Sequence, residues 1–213
     1  MAATAARVLA LMLLAGTAGF ATASFAAEPS PSPAPAPIAT PTPAPVAIPT
    51  PAPSASDSSG VGEVVELTSR PALYIEGKAR REEVFGAIMG NLAKIRDAAA
   101  KAGLKPQGHA LAVFLSADDD SLTYRAIEPL ESAPDPKLAL PDPVKSGQTP
   151  VGKSMKFEHR GEYDDIDSTY EAITAYLDEK GVDAQDVFLE EYLNEPKTSD
   201  DPNGQVDIYV LTR

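Results

Sequence analysis

From Glu28 to about Ser59 the chain offers almost nothing that a core could bury. It is Pro, Ala, Ser and Thr, with proline at every second residue from Pro29 to Pro37 and again through Pro41-Thr42-Pro43-Ala44-Pro45. Proline fixes φ and lacks a backbone N–H, so such a stretch prefers extended polyproline II and cannot join a sheet ladder. It reads as a semi-rigid spacer. The chain is thereby divided into a leader over residues 1–26, a linker over residues 27–60 and one folding domain over residues 61–213.

The leader has the layout of a secretory signal peptide. Arg7 supplies a positive start, Val8 to Phe20 is mostly apolar and uncharged, and Ala21-Thr22-Ala23 or Ser24-Phe25-Ala26 offers small residues for cleavage. The apolar run falls short of the ~20 residues that a transmembrane helix needs. The expected destination is the periplasm or the outside, with no stable membrane span after cleavage; an uncut inner-membrane anchor is the alternative. There is no cysteine, which excludes a lipid-modified lipoprotein, disulfides and thiolate chemistry. His109 and His159 are the two histidines, so no metal site and no cofactor is expected. A net charge of -13 argues against a nucleic-acid partner, because phosphate backbones are held by clustered Lys and Arg. It suits solubility or the capture of a cation.

Composition changes at Val61, and the pattern then runs twice. Glu63 to Leu67 and Ala72 to Gly77 are extended runs broken at Arg70-Pro71, which suggests one strand with a kink or bulge. Phe85, Ile88, Met89, Leu92, Ile95 and Ala99 form a helical stripe that stops at Gly103 and Pro106. His109 to Ser116 and Ser121 to Leu130 read as a strand pair. In the second run Lys153 to His159 is a strand. Ile166, Tyr170, Ile173 and Leu177 mark a helix that Gly181 ends, and Val187 to Asn194 with Val206 to Thr212 closes the domain. Between the runs, the Pro-rich stretch Ala133 to Val151 is expected to be an exposed crossover. Strand–helix–strand–strand, written twice, predicts an α+β fold with helices on one side of an antiparallel sheet.

The two-residue period of a strand sorts its side chains by face. Phe188, Glu190 and Tyr192 share one face, and Leu189, Glu191 and Leu193 the other. Val206, Ile208 and Val210 read as a packed face, leaving Asp207, Tyr209 and Leu211 on the open one, while Tyr74 alternates with Leu73 and Ile75. Tyrosines and a carboxylate are thus expected to converge on the uncovered side of the sheet. Aromatic walls around a buried carboxylate suit an organic cation. The plainer alternative is that the tyrosines cover a sheet surface and Glu190 is an ordinary exposed acid.

Three stretches of the second run carry a family resemblance. They are His159-Arg160-Gly161-Glu162-Tyr163, the helix Ser168 to Leu177, and Glu190-Glu191-Tyr192-Leu193-Asn194-Glu195-Pro196 followed by Val206-Asp207-Ile208-Tyr209-Val210. In order and spacing the chain resembles the GyrI-like small-molecule-binding family, whose domain is also the effector-binding part of some AraC- and MerR-type regulators. The resemblance covers about Val61 to Arg213. It implies two β-α-β-β modules with pseudo-twofold symmetry, and a ligand cleft on the side of the sheet away from the helices. It also implies that Glu190 sits in the cleft and meets a cationic or polar ligand. Tyr163, Tyr170 and Tyr209 are the next candidates for the wall, with Tyr192, Tyr74 and Phe188 from the strand faces; for Tyr170 a core role competes. No helix-turn-helix precedes the domain, and an exported chain would not meet the family's targets in transcription or DNA gyrase.

The expected function is an exported small-molecule binder that holds an amphipathic or cationic compound beside Glu190. One alternative is a hydrolase of small reactive compounds with Glu190 as general base. Another is an envelope interaction protein, with its protein partners unspecified. Asp118 to Asp120 and Asp200-Asp201-Pro202-Asn203-Gly204 lack the ligand spacing of a calcium hand, and no phosphate-binding glycine loop is present.

Overall fold

The computed structural model describes Gly62–Arg213 except Asp119 and Glu195, so the expected leader and linker, residues 1–26 and 27–60, lie outside the described residues. The strands are β1 (Glu63–Leu67), β2 (Pro71–Arg80), β3 (Ala110–Ala117), β4 (Ser121–Pro129), β5 (Lys145–Gln148), β6 (Gly152–Arg160), β7 (Ala184–Tyr192) and β8 (Gln205–Thr212). Helix α1 (Val84–Lys101) follows β2, and α2 (Ile166–Lys180) follows β6. A three-residue 3-10 turn leads into each, Arg81–Glu83 and Tyr163–Asp165.

All eight strands form one sheet in the order β1-β6-β8-β7-β3-β4-β2-β5, and every pairing is antiparallel. The runs β2-α1-β3-β4 and β6-α2-β7-β8 take one half each and meet at the β3–β7 pair, where Ala112 lies opposite Glu190. The fold is α+β, as the sequence predicts.

Helical spacing explains what each helix buries. α1 turns Phe85, Ile88, Leu92, Ile95 and Ala99 to the sheet, and α2 turns Ile166, Tyr170, Ile173 and Leu177. Each such Leu or Ile contributes roughly 1.5–3 kcal/mol of burial. Gly181 ends α2 in the left-handed conformation, with φ at 61°, where a side chain would strain the turn. Leu73 and Ile75 of β2, Ala112 and Phe114 of β3, Phe188 and Tyr192 of β7, and Ile208 and Val210 of β8 meet the helices.

Three expectations are corrected. β1 and β2 are not one kinked strand: β1 pairs with β6, while β2 pairs with β4 and β5 at the other end of the sheet order. Pro71 has no N–H to continue a ladder, and Thr68 to Arg70 carries the chain across. From Leu67 to Pro71 the chain reaches at most about 14 Å, so the two edges of the sheet are drawn close there. The Thr149 N–H donates to the Arg70 carbonyl at 2.9 Å, and the Arg70 N–H donates to Thr149 Oγ1 at 3.0 Å, tying the crossing segments together. Secondly, the crossover at 133–151 contains an edge strand, β5, laid against β2.

Thirdly, the face away from the helices is partly closed over and keeps a cavity of about 260 Å³, lined by Arg70, Leu111, Leu189, Glu191 and Tyr209, that does not include Glu190. Where the edges approach, Ala72, Leu111, Val113, Ile127, Leu189, Tyr209 and Leu211 form a second buried cluster on the side away from the helices. Glu190 is not on that side. It shares the helix side with Phe188 and Tyr192, so the cavity it lines lies there and not on the opposite face.

Candidate functional site

Glu190 stands mid-way along the sheet, with Ala112 of β3 on one flank and Ile208 of β8 on the other. Its side chain is 0% exposed. The short Ala112 leaves room above the strand, and tyrosines use it. Tyr170 Oη donates to Glu190 Oε1 at 2.8 Å, and Tyr163 and Tyr192 Oη donate to Oε2 at 2.9 and 2.7 Å.

The local sequence delivers each of these hydroxyls. Tyr192 follows Glu190 by two residues and therefore shares its face. Tyr170 lies on the buried stripe of α2 with Ile166, Ile173 and Leu177. Tyr163 needs a sharper device. Gly161 turns the chain at φ 125°, and its N–H donates to the Gly204 carbonyl at 2.9 Å. His159, 4% exposed, pins the same turn: Nε2 donates to the Glu162 carbonyl at 2.9 Å, so Nδ1 accepts from the Thr169 hydroxyl at 2.8 Å. Burial pushes the His159 pKa down, which keeps the ring neutral in that role. Phe85 of α1 packs against Tyr163 at a tilt of 39° with ring centroids 4.7 Å apart, and Phe188 meets Tyr170 edge-on at 6.1 Å.

Electrostatics make the centre unusual. Burial pushes the Glu190 pKa up; the three hydroxyls pull it down, and the net shift is upward. Burial, with the carboxylate beside them, raises the Tyr163, Tyr170 and Tyr192 hydroxyls well above their usual range. Those protons therefore stay on the tyrosines and point at the carboxyl. Among the described residues no Lys, Arg or His forms an ion pair with Glu190, in contrast to buried Glu128, which takes Arg96 at 2.7 Å.

The carboxyl borders a cavity of about 300 Å³ between the starts of the two helices. Phe85, Leu122, Tyr163, Ile166 and Tyr170 wall it, and Arg81, Glu82, Asp164, Asp167 and Ser199 add polar groups. Among the described residues no group of three or more His, Asp or Glu could hold a metal ion.

Five of the expected site residues are thus gathered around one centre: Glu190, Tyr163, Tyr170, Tyr192 and Phe188. Tyr209 and Tyr74 are not. Tyr209 faces the second cluster, where its hydroxyl donates to Glu191 at 2.6 Å. Tyr74 lies on β2 under Arg125, whose guanidinium is 4.4 Å from the ring centroid. Neither tyrosine lines the Glu190 cavity; Tyr74 packs against the same second cluster as Tyr209, on the face away from the helices. Sequence reasoning passed over Arg81, Phe85 and Asp167. Two of them carried a signal, since Arg81 and Phe85 flank the start of the α1 stripe.

The model of the GyrI-like small molecule binding domain matches residues 63–213. The chain belongs to this family. Among solved structures, the C-terminal domain of EcmrR superposes on the GyrI-like domain with a TM-score of 0.58 at 12% identity, covering 72% of this chain and 97% of that one. The EcmrR–DNA complex gives the same TM-score at 13% identity, but there the match takes in 58% of the longer chain. A hydrolase from Listeria innocua follows with a TM-score of 0.53 and 10% identity over 71% of this chain and 91% of that one. At such identities the likeness concerns the fold. Comparison with curated proteins finds no match.

Proposed function

We propose that this GyrI-like domain is an exported binding protein that holds a compact cationic or amphipathic compound in the cavity beside Glu190. One observation carries the reading: a fully buried carboxyl receives three tyrosine hydroxyls and, among the described residues, has no cation of its own. A buried carboxylate without a countercharge is costly, and a cation arriving in the cavity repays that cost. The aromatic walls add area and π faces for an organic cation. At about 300 Å³ the cavity is at the small end of ligand pockets, which favours a compact ligand.

A hydrolase has less support in the geometry. Three tyrosine donors take three of the roughly four acceptor positions of the Glu190 carboxylate and compete with a water there, and His159 is engaged by Thr169 and Glu162. Export rests on the leader at residues 1–26 and the spacer behind it.

Titration calorimetry with benzyltrimethylammonium and its neutral isostere tests the site. The cation should bind the wild type at least ~10-fold more tightly than Glu190→Gln, a difference that one buried charge interaction can supply. Equal binding by both proteins removes Glu190 from the site. Fractionation of cells tests export: recovery of the chain in the cytoplasm with its leader intact overturns it.

A further inference from the structure

Arg81 opens the 3-10 turn before α1 as Tyr163 opens the one before α2, and both line the Glu190 cavity. Each continues the alternation of the strand before it. Leu73 and Ile75 of β2 face the helices, as do Met155 and Phe157 of β6, and steps of two lead on to Arg81 and Tyr163. One turn brings a hydroxyl to the carboxyl. The other brings a guanidinium.

Arg80, one position off this alternation, stays at the surface and pairs with Glu82 and Glu83 at 3.2 and 2.7 Å. Arg81 is different. Its Nη1 and Nη2 are both buried, and neither has a hydrogen-bond partner among the described residues. The charge of Arg81 offsets part of the upward push that burial gives the Asp167 carboxyl, yet no hydrogen bond or ion pair joins the two among the described residues. Among those residues, Arg81 is the one cation lining a cavity that also has Glu82, Asp164, Asp167 and Glu190.

A guanidinium presents a planar fork of N–H donors that matches a carboxylate edge to edge. Buried donors left without acceptors are costly, so whatever fills this cavity must bring an acceptor or forfeit affinity. We infer that Arg81 is a second polar anchor of the Glu190 cavity and that the compound it takes is amphoteric, with a cationic group for Glu190 and an anionic or carbonyl oxygen for Arg81. The inference rests on the cavity being the ligand site. It narrows the ligand class from lipophilic cations to compounds that carry both polarities on a small apolar body.

The test is a matched series on the chain: benzyltrimethylammonium against aryl trimethylammonium carboxylates with one to four methylenes between the charges. At least one betaine should bind the wild type about tenfold more tightly than the plain cation. Arg81→Gln should bring that ratio to within about twofold of unity, while Arg81→Lys, which keeps the charge but loses the fork, should leave it between the two. Unfolding curves establish that each variant is folded, and the lysine variant alone suffices if the glutamine one is not. Betaines that bind no better than the cation, with Glu190-dependent cation binding intact, overturn the role of Arg81 and leave the cavity standing. A ratio that survives in both variants overturns it too. If no probe binds in a Glu190-dependent way, the ligand site itself falls.

Discussion

Two buried acids of the sheet, Asp207 and Glu190, are handled differently. Away from the helices, Asp207 is 2% exposed and takes Lys156 at 2.6 Å and Arg160 at 2.9 Å, while neighbouring Glu191 accepts the Tyr209 hydroxyl at 2.6 Å. Towards the helices, Glu190 is as deeply buried and, among the described residues, receives three neutral tyrosine donors and no cation. Both carboxylates are satisfied in hydrogen bonds. They differ in countercharge: Asp207, like Glu128 with Arg96, is matched by cations of the chain, whereas Glu190 forms no ion pair among the described residues and leaves a charge for something else to match.

The comparison can be broken most severely by making Asp207 resemble Glu190. Replacing Lys156 and Arg160 together by Met strands a buried carboxylate, and the domain should lose about 3 kcal/mol of unfolding free energy in urea at pH 7. Glu190→Gln runs the other way: it removes an uncompensated charge and should raise stability at pH 7 by about 1–2 kcal/mol, even as it weakens cation binding. A loss of stability instead would mean that the hydroxyl donors already offset the burial cost.

Acidity sharpens the same contrast. Burial holds the folded pKa of Glu190 above its unfolded value, so the stability tied to its protonation is fully present below the unfolded value and is lost as pH rises through the folded one. The gap between Glu190→Gln and wild type should therefore close as pH falls towards about 4, near the pKa of a free Glu, and open towards pH 7. Thermal melts of the two proteins across that range, compared by difference, isolate this group from His159 and the other titrating residues. A gap independent of pH contradicts the assignment.

Smaller effects separate the tyrosines. Tyr192→Phe removes one donor from the Glu190 carboxylate and should cost about 1 kcal/mol, with an increased apparent pKa of the site. Tyr209→Phe, on the other side, should cost nearer to ~0.5 kcal/mol and leave benzyltrimethylammonium binding unchanged. Binding that responds to Tyr209→Phe would reunite the two faces and revive the wider tyrosine set.

Much of this was legible in the chain before folding. The strand period places Phe188, Glu190 and Tyr192 on one face, and the resemblance read from three stretches of the second run agrees with the family whose model matches residues 63–213. What escaped was the side on which that face lies. Alternation assigns residues to two sets without saying which set the helices cover, and Tyr209 looked like a partner of Glu190 although it is on β8 facing away. β1 and β2 escaped for a related reason: the hop through Thr68 to Arg70 depends on the opposite edges coming together, a non-local event that no local pattern records. Arg81 was readable by counting in twos from Leu73, but a charged residue at a strand end passes for surface.

The short strand β1 has a mechanical consequence. Any chain ahead of Gly62 enters the sheet through it, and β1 is held at one edge by five residue pairs with β6. Tension applied from that direction loads those pairs first. None of the β1 residues lines the Glu190 cavity, so the strand can peel like the end of a zip while the carboxyl and its three tyrosines keep their places.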